Sequence, residues 1–491
     1  MDRIETTGGK WEVVIGLEVH AQIISNSKLF SSASTKFGIA PNENVSFVDA
    51  ALPGVLPVMN SFCVDQAIKT GLGLNGNINL VSLFDRKNYF YPDLPQGYQI
   101  SQYKHPLVSG GYIDIEKADG SVRKINLERI HMEQDAGKSI HDQSATKSFI
   151  DLNRAGVALM EIVTKPDMRS AEEASIFLRK LRSILRYLGT CDGNMEEGSM
   201  RADLNVSLHL PGTELGTRAE IKNVNSIKFL AAAVVFETAR QTEILESGGI
   251  VEQETRLFDS ATGETRSMRS KEDAQDYRYF PEPDLPPLVL DPARIEAIRR
   301  TIPELPDAKT TRLQRDYDLP SYDAAVIASE MEIANFYEEA LQCTGSGDKD
   351  VAKMLSNWLL GDLFSLLNKH GESIGNSFVS PKDFAELIML IKTDVISGKI
   401  AKDVLEIMWK ERKRSSDIVE ERGWRQITCP NEIESVVQKV LEEHGDKVTE
   451  YRNGKEKLFG FFVGLAMQRT QGKANPQLLN EVLRKLLTEG V

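Results

Sequence analysis

The stretch Arg201-Ala202-Asp203-Leu204-Asn205-Val206-Ser207-Leu208 alternates polar and apolar residues without a break. Strand side chains repeat with period two. The pattern therefore predicts a strand with Ala202, Leu204, Val206 and Leu208 on a core and Arg201, Asp203, Asn205 and Ser207 on the other face. A cation, a carboxylate, an amide and a hydroxyl in one row fit either an amphipathic edge strand or the floor of a polar active site. Just upstream, Met195-Glu196-Glu197-Gly198-Ser199 adds two carboxylates and a glycine turn. Two other stretches carry the same signature. Val13 to His20 predicts an apolar strand with Glu18 and His20 pointing the same way from its end. Ile130 to Asp135, if extended, puts His131, Glu133 and Asp135 on one side.

The remaining pattern gives the organisation. Residues 11 to about 165 read mostly as strands and loops, with strand-like runs at Trp11–Ile24, Gly111–Glu116 and Val122–Leu127, and a helix from Ser61 to Leu72. Ser170 and Glu173 form a capping box that opens a helix ending at Gly189, with Phe177, Leu178, Leu181, Ile184, Leu185 and Leu188 as its apolar stripe. A second helix runs from about Ser226 to Ser247, and Thr217 to Asn223 is another strand. The class is α+β, with helices covering one face of a mainly antiparallel sheet. Four prolines in Pro281 to Pro287 mark a boundary, and everything after residue 293 reads as helical. A charged run at Glu411 to Asp417 marks a second shift. The expected domains are 1–292, 293–410 and 411–491. Asn475-Pro476 starts the last helix, with Asn as N-cap.

Two segments need a closer look. Asp85 to Pro95 is dense in aromatics and charge, and its two prolines argue against a central strand. It suits stacking of a base or an acyl chain, or a packed Tyr/Pro corner. Gly71-Leu72-Gly73-Leu74-Asn75-Gly76 matches G-x-G-x-x-G but follows a helix, so its glycines are expected to cap that helix. There is no Walker A sequence.

Composition adds bounds. A chain of 491 residues with 41% hydrophobic content supports ordinary cores and roughly three domains. No apolar run reaches the roughly 18 residues of a membrane span, and residues 1–10 lack a signal-peptide core. The cysteines (Cys63, Cys191, Cys343, Cys429) are scattered, which points to a reducing, cytoplasmic setting without disulfide frame or zinc site. None sits in a motif that marks a catalytic nucleophile. A net charge of −13 opposes general nucleic-acid binding. From Tyr451 to Val491, however, seven Lys/Arg face three Glu, a balance of +4. That end is either a solvated helix pair or a basic contact patch.

Converging carboxylates repel unless cations neutralise them. Hard oxygen ligands suit Mg²⁺, which also binds substrate phosphates. His20, two residues from Glu18, is either a ligand or a core histidine.

These segments resemble a known family. The motifs are Val14 to His20 (VIGLEVH), Asp85 to Gln99, His131 to Lys138 (HMEQDAGK), Asp151 to Pro166 (DLNRAGVALMEIVTKP), Met195 to Ser207 (MEEGSMRADLNVS), Asp276 to Pro283 (DYRYFPEP) and Gly472 to Leu483 (GKANPQLLNEVL). Together they are similar to GatB, the B subunit of the tRNA-dependent amidotransferases (GatCAB), over essentially the whole chain. Ala158 stands where the family pattern usually has Pro. Gln134 stands where many members have a second Glu, which puts the ligand role on Glu133.

The resemblance implies a first domain similar to the glutamine synthetase cradle, then a helical domain and a helical tail that binds tRNA. It implies ATP- and Mg²⁺-dependent phosphorylation of the side-chain carboxylate of Glu-tRNA(Gln) or Asp-tRNA(Asn). Ammonia from an amidase partner, the A subunit (GatA), then displaces phosphate. A small C subunit (GatC) completes a heterotrimer. Mapped by motif, Glu18, His20, Glu133 and Asp203 are the catalytic and metal cluster. Asp135, Glu161 and Glu197 are further metal candidates, and Arg201, Lys222 and Asn223 are candidates for holding phosphate. Arg201 suits a structural ion pair equally well. Two other readings stay open: a ligase acting on a free carboxylate, and a non-catalytic tRNA scaffold.

Overall fold

The computed structural model describes residues 11–144, 146–269, 277–427 and 429–489. Residues 1–10, Asp276 and the last two residues of the tail lie outside the described residues. The chain divides into two compact units, Met1–Pro306 and Asp307–Val491.

The first unit is built on a ten-stranded sheet. Its strands are β1 (Glu12–Gln22), β2 (Asn77–Ile78), β3 (Val108–Ser109), β4 (Tyr112–Glu116), β5 (Val122–Gln134), β6 (Ala158–Thr164), β7 (Met200–His209), β8 (Ala219–Val224), β9 (Thr255–Asp259) and β10 (Glu264–Arg269). The order is β10-β9-β8-β7-β1-β6-β5-β3-β2, with β4 pairing β5. All neighbours are antiparallel except β8 and β9, so the α+β class with a mainly antiparallel sheet holds.

Alternation sets the faces. Val13, Ile15, Leu17, Val19 and Ala21 of β1 join Ala202, Leu204, Val206 and Leu208 of β7 in one apolar core. Three helices supply the rest of that core: α1 (Ser61–Gly73), α2 (Ala171–Leu188) and α3 (Ile227–Glu246). The Ser170 hydroxyl accepts from the Glu173 amide at 3.1 Å, and Glu173 accepts from the Arg169 amide at 2.7 Å, so the box closes one residue further out than the usual pattern.

Two irregularities matter for the site. In β5 the pairing with β6 steps from Leu127 to Arg129, leaving Glu128 as an extra residue. Ile125 and Leu127 before it, and Ile130 and Met132 after it, therefore all face the same core. In β8 a second bulge lies opposite Asp203, where Asn223 takes φ 67°.

Two expectations are corrected here. Asp85–Asn88 is the middle strand of a small three-stranded sheet with Tyr98–Ser101 and Phe280–Pro281, because Pro92 and Pro95 fall in the turn beyond it. Gly71 and Gly73 do not cap α1 but lie inside its last turn, and Leu74 is the cap residue. A Cβ on Gly73 would lie 2.7 Å from Leu188 Cδ1, so Leu188 would have to shift to admit a side chain there.

Beyond that small sheet, Leu288–Val289 pairs with Val81–Ser82, and α4 (Pro292–Arg299) packs on α1 through Arg294 and Asp65 at 2.7 Å.

The second unit is helical and carries two separate apolar clusters. One spans Leu313 to Val419, the other Ile433 to Leu487. Its last helix, Pro476–Glu489, opens on the Asn475 side chain, which accepts from the amides of Gln477 and Leu478. Among the described residues, no helix is long and apolar enough to cross a membrane.

Candidate active site

The polar face of the sheet in the first unit carries a row of side chains across four strands. Register places Arg201 opposite His20, His20 opposite Glu161, and Glu161 opposite His131. Glu133 follows His131 by two residues and so shares its face, which the extra residue at Glu128 makes the cavity side. His20 Nε2 lies 3.6 Å from Glu133 Oε1 and 3.4 Å from Glu161 Oε2. His131 Nε2 lies 3.7 Å from Glu133 Oε2 and 3.4 Å from Glu161 Oε2. Ser101 donates to Glu133 at 3.0 Å.

Both glutamates are buried, and two imidazoles face them. Burial disfavours charge on His131, but Glu161 and Glu133 outweigh it and raise its pKa to about 9. Burial also disfavours the Glu161 carboxylate, yet His131 and His20 hold it well below the usual range. The pair of carboxylates thus demands positive charge. One ligand atom each from His20, Glu133 and Glu161 lies within 4.8 Å of the others, which brings three groups to one point. Two carboxylates and an imidazole fit a divalent cation, and the oxygen donors suit Mg²⁺ or Mn²⁺.

A second group lies in the same cavity, of about 400 Å³. Glu18 faces Asp203 across β1 and β7. Asn205 donates to Glu18 at 3.0 Å. Lys222 Nζ sits 3.1 Å from Asp203 and 2.9 Å from Glu220. Thr255 holds the other Glu220 oxygen at 2.9 Å. Burial raises the Glu18 pKa, and Glu161 and Glu220 add to it. This second group therefore sets Glu18, Asp203 and Glu220 against Lys222 alone. Lys87, Arg129 and Arg218 also line the cavity and give anions a cationic approach.

Other residues singled out in the sequence go elsewhere. Asp135 is buried and bound by Arg201, at 3.0 Å to both oxygens, and by Gln22 at 3.0 Å. Burial opposes its charge, but Arg201 and Arg154 lower its pKa. Arg201 and Asp135 are thus each other's partners. Glu197 is exposed on the turn before β7. Asn223 occupies the β8 bulge and donates to the Phe258 carbonyl at 3.0 Å.

Sequence reasoning left out Glu220, Lys87, Arg129, Arg218 and, as a site residue, His131. Glu220 and Lys222 in β8, with Arg218 just before it, alternate as the polar residues of β7 do, so the signal was present. Lys87 arrives from the small sheet, which no periodicity in the main strands reveals.

Comparison with known proteins gives consistent matches. Residues 13–296 match a family described as the GatB/GatE catalytic domain, and residues 335–487 match one described as the GatB domain. The chain is similar, at 57% identity over 99% of both chains, to a Gluconobacter oxydans protein named as the B subunit of aspartyl/glutamyl-tRNA(Asn/Gln) amidotransferase. Proteins of that name from Acidiphilium cryptum (58%) and Granulibacter bethesdensis (59%) match over 99% of this chain and of their own.

Proposed function

The chain belongs to the GatB/GatE family, and from that premise we propose that it is the B subunit of an aspartyl/glutamyl-tRNA(Asn/Gln) amidotransferase. Its substrates are Glu-tRNA(Gln), Asp-tRNA(Asn) or both, together with ATP. The side-chain carboxylate of the esterified amino acid attacks the γ-phosphorus, ADP leaves, and an acyl phosphate forms. Ammonia then attacks the acyl carbon, phosphate leaves with the electron pair of the broken bond, and the amide remains. The ammonia comes from glutamine hydrolysed on GatA, the amidase of the complex, and the small GatC chain completes the heterotrimer. Of this chain's thiols, Cys63 and Cys191 are buried, with burial raising the Cys63 pKa to about 11, and the exposed Cys343 and Cys429 lie in no motif that marks a glutaminase nucleophile.

The observation that carries the reading is the joining of two carboxylate groups, one with imidazoles and one with Lys222, in a single cavity. Bringing a carboxylate to a triphosphate sets anion against anion, and this arrangement answers that problem. Mg²⁺ held by His20, Glu133 and Glu161 would supply charge neutralisation at the transferring phosphoryl group. Lys222, held by Asp203 and Glu220, presents a fixed ammonium to the incoming phosphates. Asn205 orients Glu18. Arg201, occupied by Asp135, ties β7 to the segment just after β5, across the two strands between them, instead of meeting substrate.

The test is amide formation on both misacylated tRNAs by the complex reconstituted with its partner chains. Full turnover without ATP, or with free glutamate in place of the aminoacyl-tRNA, would refute the proposal.

A further inference from the structure

The cavity has a wall that the reaction above does not use. Tyr103, Tyr277 and Tyr279 line the cavity together with the charged residues. Tyr103 and Tyr279 are parallel, with centroids 4.3 Å apart and planes 7° apart. Tyr277 meets Tyr279 edge-on at 6.0 Å, and Lys87 Nζ lies 5.1 Å from the Tyr277 centroid. Tyr103 is 46% exposed, so the stack has an open end.

This wall is held in place. Asn88 donates its side-chain amide to the carbonyls of Tyr277 at 3.1 Å and Arg278 at 2.9 Å, and its backbone amide to Tyr277 at 3.0 Å. Arg278 between the tyrosines has φ 42°, a conformation that a non-glycine residue keeps only where its surroundings impose it. Just beyond, Phe280 and Pro281 pair with Arg86 and Asp85, and Arg86 binds Glu282 through both nitrogens at 2.7 and 2.9 Å. Three rings are thus fixed beside a polar floor, and two of them already form a stack that a planar group can extend.

We propose that Tyr103 and Tyr279, steadied by Tyr277, form a platform that stacks an adenine ring whose ribose-phosphate end faces the carboxylates and Lys222. The inference rests on the proposed function and adds a base-binding subsite to it. Adenine has two sources in that reaction: ATP, and the 3′-terminal adenosine of the tRNA that carries the amino acid. A base on an aromatic ring gains about 1–3 kcal/mol, which is roughly a 5- to 150-fold change in affinity. The platform tolerates other bases, because every base presents a π-face.

The assembled complex decides this with Tyr279→Leu and Tyr103→Leu, each beside its Phe counterpart. ATP carrying 2-aminopurine, and tRNA ending in 2-aminopurine, report stacking by fluorescence quenching without any need for turnover. The expected result is lost quenching of one probe in both Leu variants and a rise of at least tenfold in the matching KM, with a smaller change in kcat. Phe recovers most of both. A shift confined to ATP assigns the platform to the nucleotide, and one confined to tRNA assigns it to the terminal adenosine. Partner-dependent glutaminase activity checks that the variants assemble. Unchanged quenching and KM for both probes in the Leu variants overturns the proposal. So does equal loss in Leu and Phe, which would mean the hydroxyl matters and the ring does not. If wild-type complex consumes no ATP with misacylated tRNA, the proposed function fails, while the quenching arm still tests the platform.

Discussion

Lys28 is fully buried, and its ammonium bonds Asp49 at 3.0 Å, the Asn44 carbonyl at 2.7 Å and the Leu152 carbonyl at 3.4 Å. Asp49 also accepts from Ser31 and from the Ser46 amide, so the pair pins the segment after β1. Burial lowers the Lys28 pKa, and Asp49 opposes that shift. Asp49→Asn keeps the shape but leaves an ammonium in low dielectric with only carbonyls for partners. Removing one partner of a buried pair costs about 3–5 kcal/mol. That corresponds to roughly 150- to 5,000-fold more frequent opening. Hydrogen exchange reads it at Lys28, whose amide bonds Ala33, and at Leu29, whose amide bonds Gly156. Lys28→Met should cost a similar amount. Lys28→Met combined with Asp49→Leu should cost clearly less than the two single changes added together, because no charge remains to be desolvated. Acceleration below tenfold in Asp49→Asn, or a double variant no better than the sum, would show that the pair is solvated in solution and refute the reasoning.

Four further outcomes are expected. Glu18→Gln or Asp203→Asn abolishes amide formation while circular dichroism and assembly stay unchanged; normal turnover in either removes that residue from the catalytic set. The isolated chain releases no ammonia from glutamine, and release from pure protein would reveal a nucleophile of its own. Gly156→Ala destabilises the first unit by about 1–3 kcal/mol, since φ is 84° and the added Cβ would sit 2.7 Å from Asp49 Oδ1; an unchanged thermal midpoint contradicts this. Removal of the tail, which carries the +4 balance in its final stretch from Tyr451 to Val491, weakens tRNA binding and makes its salt dependence shallower. The cut belongs after Gln426, because Ile418 and Val419 pack in the preceding cluster. Equal affinity across a salt series would clear the tail of that role.

Period-two alternation is local, so the strands bearing Glu18, His20 and Asp203 could be read from sequence together with the sides they face. Cross-strand neighbours are not local. That Glu161 lies between His20 and His131 depends on strand order, which β1, β5 and β6 reveal only when paired. Asp135 shares its side with Glu133 but ends beside Arg201, because it lies one residue past the strand's end. Period two puts Asn223 on the core side with Ile221, and the bulge instead leaves it exposed and brings Val224 onto the core. Lys87 and the tyrosine wall come from segments whose prolines hid their strands. The capping signals of α2 and the last helix were legible because a cap is set within a few residues.

The extra residue at Glu128 is absorbed where it stands. Leu127 pairs with Thr164 and Arg129 with Val163, so Glu128 is extruded between two consecutive positions of the neighbouring strand. Glu128 itself is exposed, so its identity is free to drift. Deletion of this one codon would make Leu127 and Arg129 neighbours, with Ile130 and Met132 still on the core and His131 and Glu133 still on the cavity side. What would invert the site is a strand that kept residue 128 but straightened through it, turning Ile130 and Met132 to the cavity and His131 and Glu133 to the core. Genetic variation in this strand should therefore show both many letters and gaps at that place.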